Sequence, residues 1–129
     1  SLQGLILKIA SLGQDLCSEQ QIHFQTEWNN NHKEIQLNPG LRNNVYLILK
    51  EAIYNALKHA RPAHLTFRTI ITQKECIMDL EDDGTGFSGT PGKGNGINNM
   101  HSRARESNIQ ITFQSSPGKG TQLKLHFRI

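Results

Sequence analysis

Residues 41–60 read LRNNVYLILKEAIYNALKHA, and this stretch decides the fold. Apolar side chains recur along it with the 3.6-residue period of an α-helix. They are Val45, Ile48, Leu49, Ala52, Ile53, Ala56 and Leu57. Pro62 ends the pattern, because proline lacks the amide donor and clashes with the preceding turn. The stretch therefore predicts one long helix that buries a single face against another layer.

Strand patterns surround this helix. Apolar residues alternate with polar ones in five segments, which is typical of half-buried strands. The segments are 22–28, 65–71, 76–80, 109–113 and 123–129. Helical spacing also predicts a leading helix over residues 2–16, weakened by Gly4 and Gly13, and a short helix over 97–106. We therefore predict an α/β fold, a two-layer sandwich of a mixed β-sheet covered on one face by helices.

The composition limits the class of protein. A chain of 129 residues suits one compact domain, and 36% hydrophobic with 19% charged residues excludes a disordered tail. No apolar run has the length of a membrane span. The net charge of +3 is scattered, so it permits an anionic ligand without indicating nucleic acid. Cys17 and Cys76 fit neither a disulfide framework nor a zinc site, and we interpret them as reduced, partly buried thiols.

A polar stripe runs beside the apolar face of the long helix. Its members Glu51, Asn55, Lys58 and His59 stand at i, i+4, i+7 and i+8, so an α-helix places them on one side. Together they suit a ligand made of phosphate and metal. Asparagine offers a neutral oxygen to Mg²⁺, lysine offers charge to phosphate, and glutamate can accept a proton. The alternative is a solvated helix face.

Asp82 continues the alternation of Cys76, Met78 and Leu80, so it is expected to point toward the core side of the sheet. A carboxylate aimed inward needs a partner or a ligand. The exocyclic amine of adenine is a suitable donor. The alternative is a carboxylate that caps the glycine turn after it.

Residues 84–96 read GTGFSGTPGKGNG. The first half matches the dinucleotide fingerprint GxGxxG, but that fingerprint must open into a helix, and the residues that follow cannot be helical. We interpret the loop as a flexible lid. Gly94 and Gly96 would let backbone amides at the next helix start approach phosphate, and Lys93 would add charge. The alternative is a disordered surface loop.

Four segments together resemble the catalytic domain of histidine kinases, a branch of the GHKL ATPase superfamily with the Bergerat fold. Residues 51–60 look like the N box and residues 82–87 like the first glycine box. Residues 94–104 look like the second glycine box and residues 116–121 like the last. Each segment is weak alone, but their order and spacing are those of the family. The short lid and the helix after it are similar to the subfamily of nitrate and lipid-fluidity sensors.

The resemblance implies ATP and Mg²⁺ as cofactors and a role for each matched residue. Glu51 would be catalytic and polarise the attacking group, Asn55 would hold Mg²⁺, and Asp82 would read the adenine amine. The other cofactor-binding residues would be Lys58, His59, Gly84, Gly86, Lys93, Gly94, Gly96, Ile97 and Thr121.

Two features depart from the family pattern. Ser107-Asn108 stands where a paired glycine is common, so the turn before Ile109 is expected to differ. None of the six histidines lies in a helical acceptor motif with an adjacent acid. The chain is therefore expected to receive its acceptor histidine from another domain and to have little activity alone.

The resemblance also implies an organisation. Residues 1–18 would be a remnant of the preceding dimerisation or phosphoacceptor helix or its linker, and residues 19–129 the ATP-binding catalytic domain. The chain would be a cytoplasmic monomer, while its parent would be a homodimer with or without a membrane anchor. Its partners would be the dimerisation and phosphoacceptor domain and, indirectly, a response regulator, but not nucleic acid. Alternatives are a GHKL ATPase, an anti-sigma-type serine kinase and a non-catalytic nucleotide-binding module.

Overall fold

A computed structural model describes residues 1–29, 34–84 and 95–129. The described residues form three α-helices, a π-helical turn and five strands. In chain order they are α1 (Leu2–Glu19), β1 (His23–Trp28), α2 (Pro39–Asn55), the π turn (Ala56–Ala60), β2 (His64–Ile71), β3 (Glu75–Asp82), α3 (Asn95–Glu106), β4 (Gln110–Ser115) and β5 (Thr121–Arg128). None of the described helices is both long and apolar enough to cross a membrane.

The strands form one mixed sheet in the order β1-β2-β3-β5-β4. β1 runs parallel to β2, and the other neighbours are antiparallel. Rows of paired residues alternate between the two faces of the sheet. One row of the face under the helices is Trp28, Thr69, Met78, Leu125 and Ile111. The predicted α/β fold with a mixed sheet is confirmed.

The opposite face of the sheet is mostly polar, apart from the pair of Ile70 and Ile77, and contains ion pairs. Arg68 donates to Asp79 at 3.1 Å and to Glu81 at 3.3 Å, and its Nε atom donates to Glu27 at 3.3 Å. Gln122 donates to the second oxygen of Asp79 at 2.9 Å. A face with such ion pairs can stay in water, which explains why the helices gather on the other side.

Helix α1 belongs to the same core as the sheet. Its buried side chains join one continuous cluster with those of α2 and the strands. They are Leu2, Leu5, Ile6, Ile9 and Cys17. A Cβ atom on Gly13 would overlap the ring of Phe24, so the glycine that weakens the helix also lets β1 approach it. The origin of residues 1–18 in a preceding dimerisation helix stays a prediction, but their packing makes them a layer of this domain.

Helix α2 is shorter than the single α-helix predicted over residues 41–60. The Asn38 side chain caps its start by accepting from the amide of Gly40 at 2.8 Å. After Asn55 the helix widens into the π turn, and Arg61 ends it with φ 45° and ψ 58°. A π turn holds more residues than an α turn, so residues beyond Asn55 are rotated from their α-helical positions. The predicted polar face at i, i+4, i+7 and i+8 therefore needs correction after Asn55.

The turn after α3 keeps a left-handed conformation without glycine. Asn108 has φ 53°, and the amide of Ile109 donates to the carbonyl of Ala104 at 2.8 Å. Asparagine tolerates this conformation better than most residues, because its short polar side chain bonds locally. The departure at Ser107-Asn108 thus ends the helix in the ordinary way.

Asn44 ties the same end of α3 to α2. Its side chain is buried, and its Nδ2 atom donates to Oγ of Ser107 at 2.7 Å and to Glu106 at 3.4 Å. Its Oδ1 atom accepts from Arg103 at 3.4 Å. These bonds fix the C-terminal end of α3 across a gap of about sixty residues in sequence.

Replacing Asn44 is therefore expected to destabilise the fold. Asn44→Ala removes a buried group with three partners and should lower the free energy of unfolding by about 1–2 kcal/mol. Urea unfolding followed by circular dichroism measures this. The matched control is Asn43→Ala, since Asn43 is exposed on the same helix and should change stability by less than about 0.5 kcal/mol. Equal losses of stability at both positions would show that the Asn44 hydrogen bonds to α3 do not stabilise the fold.

Replacing Thr69, in contrast, is expected to stabilise the fold. It is 2% exposed, and its hydroxyl has no hydrogen-bond partner within the described residues. Thr69→Val replaces this hydroxyl with a methyl group of similar shape and should raise the free energy of unfolding by about 1 kcal/mol, because an unpaired buried hydroxyl is costly. The same change at half-buried Thr66, on the polar face, serves as the control. A loss of stability in Thr69→Val would show that the hydroxyl is paired in solution.

Both thiols are free and buried. Burial raises the pKa of Cys76 to about 12 and also raises the pKa of Cys17. The thiols are therefore protonated at neutral pH and act as apolar core groups.

Candidate functional site

Asp82 is the buried carboxylate of the site. It is the last residue of β3, faces the helices and is 7% exposed. Burial raises the pKa of this carboxyl, and hydrogen bonds from the backbone amides of Gly84 and Thr121 oppose the shift only in part. The bond from Gly84 to Oδ1 measures 2.8 Å. Asp82 thus points inward and also caps the glycine turn. A carboxylate has about four acceptor positions, so it can receive another donor besides these two amides.

A cavity lies beside Asp82, between α2, α3 and the sheet. Its lining is apolar apart from three side chains, Asn55, Asp82 and Thr121. The apolar lining consists of Ala52, Ala56, Leu80, Met100, Phe113 and Leu123. An apolar slot with one carboxylate and one amide suits a flat ring that carries a polar edge. Three residues named from the sequence therefore meet at one place.

The cavity is narrow in this state. Its volume is about 20 Å³, which is room for about one water molecule. A ring as large as a purine can enter only if the walls separate. Met100 lies in α3 and Phe113 lies in the edge strand β4, whereas the other lining residues belong to α2, the π turn or the central strands β3 and β5.

Gly120 lets β5 begin close to Asp82. Its φ is 78°, and a Cβ atom there would overlap the carbonyl oxygen of Asp82. A side chain at this position would be strained and would also push the two strands apart. The turn over residues 116–120 thus places the Thr121 amide within reach of the Asp82 carboxylate.

Asp83 points to the opposite face of the sheet from Asp82 and has a structural role. Its Oδ1 atom accepts from the amides of Ala63 and His64, both at 2.8 Å, and its Oδ2 atom lies 2.7 Å from Nδ1 of His64. Desolvation acts to raise the pKa of Asp83, but these bonds outweigh it and lower the pKa. The carboxylate pins the end of β3 to the start of β2, which steadies the strand that presents Asp82.

Glu51 lies against the start of α3. A Cβ atom built on Gly96 would overlap Oε1 of Glu51 and would lie 3.0 Å from its carboxyl carbon. Glu51 is one helical turn before Asn55, so the two side chains leave α2 on the same side. Ile97, next to Gly96, is half-buried and packs against the core.

The remaining predicted residues are placed differently. Lys58 and His59 lie in the π turn, are exposed and do not line the cavity. Their predicted common face with Asn55 rested on α-helical spacing, which the π turn changes. Gly84 bonds Asp82 through its backbone. Three further predictions, Gly86, Lys93 and Gly94, fall outside the described residues.

Most of the apolar lining is not predicted by the sequence patterns. Ala52 and Ala56 were assigned to the core stripe of the long helix, yet they also form a wall of the cavity. Their small size is the signal, because two alanines one turn apart leave room beside a helix. Met100 and Phe113 gave no comparable signal, since periodicity shows which side chains turn inward but not which border a cavity.

Comparisons with known proteins bear on the family and the fold of this chain. A family model described as histidine kinase-, DNA gyrase B-, and HSP90-like ATPase matches residues 40–129. The sensor protein VraS of Staphylococcus saprophyticus is 26% identical over 129 residues, covering 96% of this chain and 37% of VraS. The sensor histidine kinase ComP of Bacillus subtilis is 23% identical over 115 residues, covering 86% of this chain and 15% of ComP. The chain thus spans well under half of either relative.

Solved structures share the fold. The histidine kinase domain of the blue-light activated histidine kinase EL346 from Erythrobacter litoralis superposes with a TM-score of 0.78 at 18% identity, over 95% of this chain and 58% of that one. A nucleotide-free catalytic domain of the histidine kinase ThkA also gives 0.78, at 14% identity, over 99% of this chain and 93% of that one.

Proposed function

The chain belongs to the family of histidine kinase-, DNA gyrase B- and HSP90-like ATPases, and from this premise we propose that it binds Mg-ATP and passes the γ-phosphate to a histidine on a separate domain. The membership confirms the resemblance to a GHKL histidine kinase ATP-binding domain. Its place in the subfamily of nitrate and lipid-fluidity sensors stays a prediction.

The meeting of Asp82, Asn55 and Thr121 in one apolar cavity carries the proposal. A buried carboxylate with a free acceptor site recognises an amine donor, and adenine presents its exocyclic amine on a flat apolar ring. In this assignment Asp82 reads the amine, with Thr121 beside it, while Leu80, Met100 and Phe113 contact the ring. Gly84 holds the Asp82 carboxylate in place through its amide.

The residues present fit Mg²⁺ in a limited way. Asn55 is half-buried on the cavity wall, so its amide oxygen can be one ligand. No group of three or more His, Cys, Asp or Glu side chains that could hold a metal occurs in the described part of the chain. Mg²⁺ is commonly held by one or two protein groups together with substrate phosphates, and a single amide suits that pattern. When bound, the ion supplies positive charge to the phosphates.

Glu51 is assigned to the reaction itself. Its carboxylate sits one turn from Asn55, at the side of α2 that faces the start of α3. From there it can polarise the attacking imidazole while Lys58 and His59, exposed after Asn55, remain free to approach phosphate. By the same inference the partner is the dimerisation and phosphoacceptor domain of a homodimeric parent in the cytoplasm, and a response regulator receives the phosphate afterwards.

The test is phosphate transfer from Mg-ATP to a supplied histidine acceptor domain. Wild type should transfer, whereas Glu51→Gln should keep its affinity for Mg-ATP and lose transfer by about 100-fold, a usual contribution of acid–base catalysis. If Glu51→Gln transfers at the wild-type rate, the role of Glu51 is wrong. Brisk hydrolysis without an acceptor would favour an ATPase, phosphoserine on a protein partner would favour an anti-sigma-type kinase, and binding without any transfer would favour a non-catalytic module.

A further inference from the structure

Gly96 is a glycine that its backbone does not require. Its φ is outside the left-handed region, and it lies in the first turn of α3. Alanine is favoured over glycine in a helix because glycine loses more backbone entropy. The reason for glycine at this position must therefore lie in the space around it, and the side chain that occupies this space is Glu51.

In the closed arrangement of the cavity, α3 is held in place beside Glu51. Met100 and Ala104 in α3 are each 1% exposed and hold it against the core. Asn44 ties its other end through Ser107 and Arg103. The carboxylate, in contrast, is the far end of a flexible side chain. A methyl group added at position 96 would thus displace Glu51 and leave the helix in place.

We propose that Gly96 is a positioning residue for Glu51. Because glycine has no side chain, it leaves a space beside the start of α3, and the Glu51 carboxylate occupies this space. We call this space the seat of Glu51. This inference rests on the proposed role of Glu51 in transfer. It differs from the role predicted for Gly96 from the sequence, in which the glycine lets phosphate approach the backbone. The two roles predict different effects of replacing Gly96. If Gly96 positions Glu51, the replacement lowers the rate of phosphate transfer, whereas if Gly96 lets phosphate approach, the replacement weakens nucleotide affinity.

The first experiment needs no nucleotide. Gly96→Ala is made in wild type and in Glu51→Ala, where the seat is empty, and Tm is measured for all four proteins. In Glu51→Ala the new methyl should raise Tm by about 3 °C through helix propensity, whereas in wild type the displacement of the carboxylate should make the rise smaller. Gly4→Ala, also in the first turn of a helix, is the control and should act alike in both backgrounds. An equal rise from Gly96→Ala in both backgrounds would overturn the seat.

The second experiment follows function. Gly96→Ala should keep the Kd for Mg-ATP within about 3-fold and lose transfer to the supplied acceptor domain by about 100-fold, as Glu51→Gln does. The double variant should be no slower than Glu51→Gln alone, because both changes disable one group. A Kd weakened tenfold or more with normal transfer at saturating ATP would overturn the inference in favour of phosphate approach. If wild type neither binds nor transfers, the proposed function fails, and the Tm comparison still decides the seat.

Discussion

The Asp82→Asn variant is expected to lose most of its affinity for Mg-ATP and yet to unfold at a higher temperature than wild type. The loss follows because a neutral amide accepts more weakly from the adenine amine and can present a donor instead. A charge-assisted hydrogen bond is worth about 2 kcal/mol, so Kd should weaken by about 30-fold. Calorimetric titration measures the affinity, and unchanged affinity would remove Asp82 from the adenine site.

The gain in stability follows from the raised pKa. Burial makes the ionised Asp82 unfavourable in the folded state, whereas asparagine carries no charge and can still accept from the Gly84 amide. Since the folded pKa lies above the unfolded value of about 3.9, the penalty is full above the folded pKa and vanishes below the unfolded one. The Tm difference between variant and wild type should therefore grow as pH rises through the acid range and then stay constant.

Asp83→Asn is the matched control, one residue away on the opposite face. Its pKa is lowered in the fold, so its stabilising effect is present above the unfolded pKa and is lost as pH falls through the folded pKa. The substitution should lower Tm at neutral pH and change Mg-ATP affinity far less than Asp82→Asn does. If both variants shift Tm in the same direction, then it is wrong that burial destabilises the Asp82 charge while hydrogen bonds stabilise the Asp83 charge.

A chain that begins at residue 19 is expected not to fold. Residues 1–18 bury Leu2, Leu5, Ile6, Ile9 and Cys17 in the common core. Burying one large apolar side chain stabilises a fold by about 1.5–3 kcal/mol, so their loss is on the order of 10 kcal/mol. This is comparable with the whole stability of a domain, which is about 5–15 kcal/mol.

Thermal unfolding of residues 19–129 beside the full chain measures this. The full chain should show a cooperative transition and the shortened chain none. Ile9→Ala and Leu7→Ala provide a graded comparison, because Ile9 is fully buried and Leu7 is 61% exposed. The former should lose about 2–5 kcal/mol and the latter almost nothing. A cooperative transition in residues 19–129 would instead make α1 a dispensable remnant of a preceding helix.

Periodicity predicted the layers of this fold because burial repeats every two residues in a strand and about every 3.6 in a helix. The inward direction of Asp82 follows from the same rule. The π turn does not, since Ala56 and Leu57 fit the apolar stripe of an α-helix equally well. The contact of Glu51 with Gly96 joins residues 45 positions apart, and only the packing of α3 on α2 brings them together. The local sequence around either residue does not predict such a contact.

The two buried thiols allow the opening of the domain to be timed without an added label. Alkylating reagents attack the thiolate, and the raised pKa values leave very little thiolate while the core is closed. Modification must then wait for local opening. Cys17 reports when α1 leaves the sheet, and Cys76 reports when the central strand β3 is exposed. Separate rates would reveal an intermediate with α1 detached, whereas one common rate would mean that helix and sheet open together.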